Sequence, residues 1–459
     1  MPFSGKGHHL MAIKGLMIAG LASGSGKTMV TLGLLRALLR RGVAVSAAKT
    51  GPDYIDAGFL SAACGSKTVN LDQFAMSKPL LAALAAAQDG EMLVVEGVMG
   101  LFDGATGNAG SSAALAEALD IPVILVMDVR HTAQTAAMVA AGIAALLPAG
   151  RIAGVILNHV ASARHLSLVR EALAQHEIPL FGAVPSRNGL VVPSRHLGLV
   201  QAADFDKGGL DQIIDHAADL IRDNCDLDLI LAAASPLPHA QTSSLPSAQT
   251  IINKASPALS RPSVPAPAQI IAVADDAAFG FSYHHILAGW RQQGAEIRCF
   301  SPLNDEAPAP DADFIFLPGG YPELHLPALS TRAGFFAGLA TAAKANIPIY
   351  GECGGFMTLG TGIIDAKGNR FQMAGLLDLE TSFAAKKRHL GYRKFIPLEG
   401  FFWDGPFLGH EFHYTSPIAA SGTPLFAAED ASGQSLGKVG LRKNAVAGSY
   451  LHIIAAASA

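Results

Sequence analysis

At 459 residues the chain exceeds one ordinary domain, so two or three are expected. A formal net charge of −4 excludes bulk electrostatic attraction to nucleic acid or an anionic membrane, and Cys64, Cys225, Cys299 and Cys353 lack metal-ligand spacing. Half of the residues are hydrophobic, but the apolar runs break at Glu117, Asp120 or Pro148 before reaching membrane-spanning length, and no secretory leader is visible; the expected setting is reducing and cytoplasmic.

Residues 1–13 have no periodicity and read as a flexible tail, with Met1 or Met11 as the start. Beyond them, apolar runs at 15–20, 43–48, 92–96, 121–128 and 152–158 alternate with alanine- and leucine-rich helical patterns. Unbroken apolar strands separated by helices predict a parallel sheet covered on both faces. The first run leads into Gly24-Ser25-Gly26-Lys27-Thr28 and then a helix whose Leu32, Leu35, Leu38 and Leu39 fall on one face. Glycines let backbone amides curl around phosphate oxygens, the lysine supplies point charge, and the threonine hydroxyl suits Mg²⁺. Strict G-x-x-x-x-G-K-[ST] spacing requires glycine at 21, where Leu21 stands, with Gly20 one residue earlier. The alternative is a glycine-rich turn with a surface lysine, and the order strand, turn, helix argues against it.

Two acidic segments stand at the ends of the next strands. One runs Lys49-Thr50-Gly51-Pro52-Asp53-Tyr54-Ile55-Asp56, the other from Glu96 to Asp103-Gly104. Strand ends are where open α/β sheets place ligand groups, and carboxylates beside a triphosphate are the expected Mg²⁺ holders. Taken singly, each is equally well an ordinary turn.

From Asp226 to about residue 268 the chain is rich in Pro, Ala and Ser, too poor in large apolar residues to offset its ordering entropy; it reads as a linker between domains at 14–225 and 269–459. Strands are then expected at 270–275, 313–317 and 347–350, making a second α/β domain. The third of these ends in Gly351-Glu352-Cys353-Gly354-Gly355, a strand that delivers a thiol into a tight turn before a helix. Such a turn suits an exposed nucleophile. An activated cysteine in one domain and an ATP site in the other point to two half-reactions that share an intermediate. His410 and His413 share a strand-like segment and read as structural or substrate-contacting. The run from Lys386 to Lys394, with Arg388 and Arg393, is equally a solvated hairpin edge or a cradle for carboxylates.

The motifs GLASGSGKT (20–28), KTGPDYIDAGF (49–59), VVEGVMGLFDG (94–104), VPSRHLGL (192–199), GECGGFMTLG (351–360), GHEFHYT (409–415) and GSYLH (448–452) resemble the cobyrinic or hydrogenobyrinic acid a,c-diamide synthases. The resemblance covers nearly all of the chain outside the linker and the first ten residues. It implies an α/β fold with an N-terminal P-loop domain like dethiobiotin synthetase and a C-terminal class I glutamine amidotransferase domain. It also implies that ATP phosphorylates the a and c acetate carboxylates of a corrinoid and that ammonia from L-glutamine displaces the phosphate.

Carried onto this chain, the resemblance makes Cys353 the glutamine nucleophile and His452 its base, with the amides of Gly320 and Gly354 as oxyanion hole. Gly24, Ser25, Gly26, Lys27 and Thr28 bind ATP; Thr28, Asp53 and Glu96 hold Mg²⁺; Asp56 and Asp103 face the acyl phosphate, and the cradle reading of the cationic run adds Arg388 and Arg393, assisted by Arg195 and His196, as substrate contacts. Where the family has a polar residue two after the histidine, this chain has Ile454, so orientation of His452 must come from elsewhere, and the final element, seven residues from the end, is expected to be short. Rival readings are a nickel-sirohydrochlorin amidase, cobyric acid synthase, or a partition-type ATPase switch, which needs neither Cys353 nor a second domain. Homodimerisation is left open.

Overall fold

The computed structural model describes residues 13–186, 194–195, 198–199, 205, 207–238, 264–385 and 387–457. Two compact units are present: Met1–Gln73 with Lys78–Gly104 and Asn108–Leu245, and Phe74–Ser77 with Ala105–Gly107 and Pro246–Ala459. Among the described residues, no helix is long and apolar enough to cross a membrane.

The first unit alternates β1 (Lys14–Gly20), α1 (Lys27–Arg40), β2 (Val45–Thr50), α2 (Tyr54–Cys64), β3 (Val69–Leu71), α3 (Lys78–Ala86), β4 (Met92–Glu96), α4 (Ser112–Ala118), β5 (Val123–Asp128), α5 (Thr135–Leu146), β6 (Ile152–Val160), α6 (Ala163–Gln175) and β7 (Leu180–Pro185). The strands lie in the order β3-β2-β4-β1-β5-β6-β7 and are all parallel. Their near-total burial is what the unbroken apolar runs require. Two strands escape the sequence reading: β3 has only three residues, and β7 carries Gly182 and Pro185 within its run. A hairpin of β8 (Ser194–Arg195) and β9 (Gly198–Leu199) follows.

Helix α7 (Lys207–Asn224) lies against α1, so closely that a Cβ on Gly33 would stand 2.6 Å from the Ala217 carbonyl oxygen. Leu32, Leu35 and Leu38 of α1 are fully buried, each worth roughly 1.5–3 kcal/mol over exposure. Leu39, assigned to the same face by periodicity, is 40% exposed, and Leu34 takes a core place instead. The sequence-predicted linker begins too early. Asp226 caps α8 (Leu227–Ala233), whose Leu227 and Ile230 are buried, and β10 (Ser235–Pro236) then pairs antiparallel with β1.

The second unit is built on a six-stranded sheet ordered β12-β11-β13-β14-β24-β23, from β11 (Ile270–Ala274), β12 (Glu296–Phe300), β13 (Phe314–Leu317), β14 (Ile349–Glu352), β23 (Leu441–Lys443) and β24 (Val446–Ser449). It is parallel except for β23. Between β14 and β24 the chain forms a four-stranded sheet and most of a five-stranded one, a β-rich region that the α/β expectation omits. The four-stranded sheet comprises β15 (Gly362–Ile364), β16 (Arg370–Gln372), β17 (Leu379–Ser382) and β20 (Ser416–Ala420). The five-stranded sheet is antiparallel in the order β22-β21-β18-β19-β25, from β18 (His389–Pro397), β19 (Phe407–His413), β21 (Phe426–Asp430), β22 (Ser435–Val439) and β25 (Leu451–Ala456). The cationic run therefore leads into a central strand, not a hairpin edge. The last strand, β25, is six residues long and mostly buried.

Candidate active sites in the two units

Strand order assembles the first site. Because β4 lies between β2 and β1, the register sets Glu96 beside both Lys49 and Ile18 at the ends of their strands. The phosphate loop follows β1. Gly24 and Gly26 take φ of 80° and 91°, and a Cβ on Gly26 would collide with the Asn158 side chain, whose amide donates to the Ser25 carbonyl at 3.1 Å. Asn158, from the end of β6, thus pins the loop from below; nothing in the local motif signals it. The Lys27 ammonium donates to the carbonyls of Met99 at 2.6 Å and Ala22 at 3.0 Å, and burial lowers its pKa.

The Thr28 hydroxyl donates to Glu96 Oε1 at 2.7 Å. Lys49 Nζ stands 2.9 Å from the same oxygen and 2.6 Å from Asp56 Oδ2. Burial alone would lower the Lys49 pKa, but Glu96, Asp56 and Asp53 more than offset it and hold the ammonium charged. Sequence reasoning gave Lys49 no role, although a lysine in an otherwise uncharged, fully buried strand is itself a signal. Asp53 caps α2, accepting from the amides of Ile55 and Asp56; burial and the Asp56 charge push its carboxyl up to about 7. Asp103 accepts from the Gly100 amide at 2.8 Å, a turn contact. Glu96 is wholly buried, with burial raising its pKa, and its Oε2 has no hydrogen-bond partner among the described residues. With the Thr28 hydroxyl and the Asp53 and Asp56 carboxylates that share Lys49 with it, Glu96 forms an oxygen-donor set that could hold Mg²⁺.

Arg195 lies in β8, and His196 lies outside the described residues. Arg388 is exposed. Arg393 Nη2 is 2.9 Å from Glu411 Oε2, so its charge is committed within the second unit and not presented as a cradle.

The second site forms where β13, β14 and β24 end side by side. Cys353 terminates β14 with φ 45° and ψ −100°, a strained conformation for a non-glycine residue, and starts the helix Gly354–Leu359. Its amide donates to the Ser449 carbonyl at 2.8 Å. The thiol is only 4% exposed, which corrects the expectation of an exposed nucleophile. The β-rich region covers it, and the S–H group points to the Phe412 carbonyl at 3.7 Å. Burial, then Glu323, raises the thiol pKa far above the usual range. Gly354 and Gly320 pack backbone to backbone, since a Cβ on Gly354 would be 3.1 Å from the Gly320 nitrogen.

His452 is buried on β25, its ring stacked on His410 of β19 with centroids 4.6 Å apart and planes 5° apart. Its Cε1 edge faces Gly319, where a Cβ would collide with it. Its Nδ1 is 3.7 Å from Glu352 Oε2, and Glu352 Oε1 accepts from the Ile453 amide at 3.1 Å. Burial pushes His452 down to about 3 and Glu352 up to about 8. Sequence reasoning missed Glu352, although it closes an otherwise uncharged buried strand next to the nucleophile.

Near this site His389, Glu411 and His413 bring ligand-type atoms within 4.8 Å of one another. His413 Nδ1 faces the Thr415 carbonyl and its Nε2 the Glu411 carboxylate, both at 2.9 Å, while Arg393 holds the other Glu411 oxygen. A metal ion there would compete with a guanidinium, so the cluster reads as an ion-pair network.

Two family models match the chain. Residues 16–200 match the CobQ/CobB/MinD/ParA nucleotide binding domain, and residues 270–459 match the CobB/CobQ-like glutamine amidotransferase domain. A hydrogenobyrinate a,c-diamide synthase from Rhizobium meliloti (strain 1021) is 48% identical over 445 residues, covering 96% of this chain and 99% of the relative. Proteins of the same name from a Sinorhizobium species and Rhodobacter capsulatus are 47% and 44% identical, covering 97% and 96% of this chain and 100% and 99% of those relatives. With both halves matched, and matched along their length in single relatives, the chain belongs to the hydrogenobyrinate a,c-diamide synthase family.

Proposed function

We propose that the protein amidates the a and c acetate carboxylates of hydrogenobyrinic acid, or of its cobalt-bearing counterpart cobyrinic acid, using ATP and L-glutamine. The observation that carries this is identity of 44–48% extending over 96–97% of the chain to relatives of that name. A partition-type switch has no use for the second unit. The nickel and cobyric acid alternatives are less favoured because relatives at 44–48% identity over nearly the whole chain bear the hydrogenobyrinate name.

In the second unit, Cys353 passes its proton to His452 as its sulfur attacks the glutamine carbonyl carbon. The amides of Gly320 and Gly354 receive the charge that develops on oxygen. Collapse of the adduct expels nitrogen, which recovers the proton from His452 and leaves as ammonia, and water hydrolyses the thioester to glutamate. Because burial keeps both thiol and imidazole neutral at rest, proton transfer accompanies attack and no standing thiolate is needed.

In the first unit, the loop amides of residues 24–28 and Lys27 receive the triphosphate. Thr28, Glu96 and Asp53 would hold Mg²⁺, which neutralises phosphate charge when bound. Asp56, Asp103, Arg195, His196 and the exposed Arg388 are the candidates for the acyl-phosphate and substrate side. A carboxylate oxygen attacks the γ-phosphorus, ADP leaves, and ammonia displaces phosphate from the acyl phosphate to give the amide. A cytoplasmic setting fits this use of ATP and a reduced thiol.

The test is incubation with ATP, Mg²⁺ and glutamine and each macrocycle, metal-free, cobalt or nickel, followed by mass spectrometry. Two successive amidations of the metal-free or cobalt compound are expected. No mass change with any of them sinks the proposal.

A further inference from the structure

We propose that Glu352, the residue immediately before the nucleophile, is the carboxylate that orients His452, the place that Ile454 leaves unfilled. This rests on reading Cys353 and His452 as a glutaminase pair, and Glu352 is a positioning residue that reaches the substrate only through the imidazole.

Contacts on three sides bear on the His452 ring. His410 covers one face, Gly319 meets the Cε1 edge, and Glu352 stands at Nδ1. The Glu352 carboxyl is itself held. Its backbone pairs with Ser449 through the β14–β24 register, and its Oε1 accepts from the Ile453 amide, on the strand that carries His452. The other oxygen is thereby aimed at the ring at 3.7 Å, a separation of the kind that closes when substrate binds. An acceptor at Nδ1 places the proton of the neutral ring on that nitrogen and assigns the Cys353 proton to Nε2, the tautomer a general base needs. The β25 backbone has its own anchors, since His285 Nε2 meets the Ile454 carbonyl at 2.8 Å and Gly409 permits close approach of the His452 carbonyl. Strand placement therefore does not require a carboxylate at 352.

Other titratable groups face this pair. His410 stacks on the ring, His413 and Glu411 act on His452 electrostatically, Tyr350 lies beside Glu352, and Glu323 acts on Cys353. Glu352 is the group whose carboxyl oxygen stands 3.7 Å from Nδ1.

Two measurements decide the matter. Glu352→Gln keeps an acceptor for the Ile453 amide and removes the carboxyl group; in the full-length protein it is expected to lower kcat for glutamine hydrolysis by about 100-fold or more, with KM for glutamine within about twofold. A kcat within about threefold of the parent, or a loss carried by KM, overturns the proposal. Nitrogen-15 spectra of the histidine-labelled parent protein, with His452 identified by the signal lost in His452→Gln, give a readout that does not depend on the variant folding. A proton on Nδ1 supports the assignment; a proton on Nε2 with Nδ1 bare overturns it. If the parent protein hydrolyses no glutamine, the glutaminase reading fails, while the tautomer still reports whether Glu352 orients His452.

Discussion

Lys49 Nζ lies 2.9 Å from Glu96 Oε1, an ion pair buried at the ends of two adjacent parallel strands. Removing one member of such a pair leaves an uncompensated buried charge. Lys49→Met is expected to destabilise the first unit by about 3–5 kcal/mol, and Lys49→Met with Glu96→Gln by clearly less. Denaturant unfolding of the single and double variants measures this, and equal losses would contradict the pairing.

The phosphate loop depends on a close approach that only glycine permits. Gly26→Ala forces a side chain into φ 91° and against Asn158, so KM for ATP is expected to rise at least about tenfold while glutamine hydrolysis persists. Steady-state kinetics in ATP and in glutamine, run separately, separates the two effects.

Replacing Cys353 by alanine removes the nucleophile of one unit and leaves the carboxylates of the other. Glutamine-dependent amidation is expected to vanish while amidation supported by ammonium chloride continues. Loss of both would make Cys353 a structural residue.

Burial raises the Cys353 thiol pKa, whereas Cys299 is exposed. Without glutamine, iodoacetamide is therefore expected to label Cys299 faster than Cys353 at neutral pH, with Cys353 labelling increasing only in strongly alkaline solution. Peptide mass spectrometry after timed labelling gives both rates.

Arg393 and Arg388 separate into different roles. Burial pushes the Glu411 carboxyl up, but the His413 hydrogen bond and the Arg393 charge more than offset it, to about 2. Its folded value is depressed, so the stability it contributes is present above the ordinary carboxylate range and is lost as pH falls toward 2. Arg393→Ala is expected to cost about 1–3 kcal/mol at neutral pH and less near pH 2. Arg388→Ala is expected to leave stability unchanged and to raise KM for the macrocycle but not for ATP. Unfolding at both pH values and kinetics in each substrate check the pair.

The motif of each candidate site was legible because it is local. A glycine-rich turn between strand and helix, and a thiol between an apolar strand and two glycines, are each written within about ten residues. The long buried strands were equally plain, since burial on both faces leaves an unbroken apolar run. Short strands such as β3 carry too few residues to declare a period, and the antiparallel sheet of the second unit mixes polar and apolar positions along β18 and β19.

What the sequence by itself determined is the pair of α/β units, the phosphate loop at the end of the first strand, and the choice of Cys353 and His452 as candidates. Tertiary structure alone decided their surroundings: that Lys49 pairs with Glu96, that Asn158 underlies Gly26, that Cys353 is covered, and that Glu352 stands 3.7 Å from the His452 ring. These relations join residues far apart in the chain through strand order and register. A residue's own neighbours specify its conformation, but only the crossover connections determine which strand end it meets.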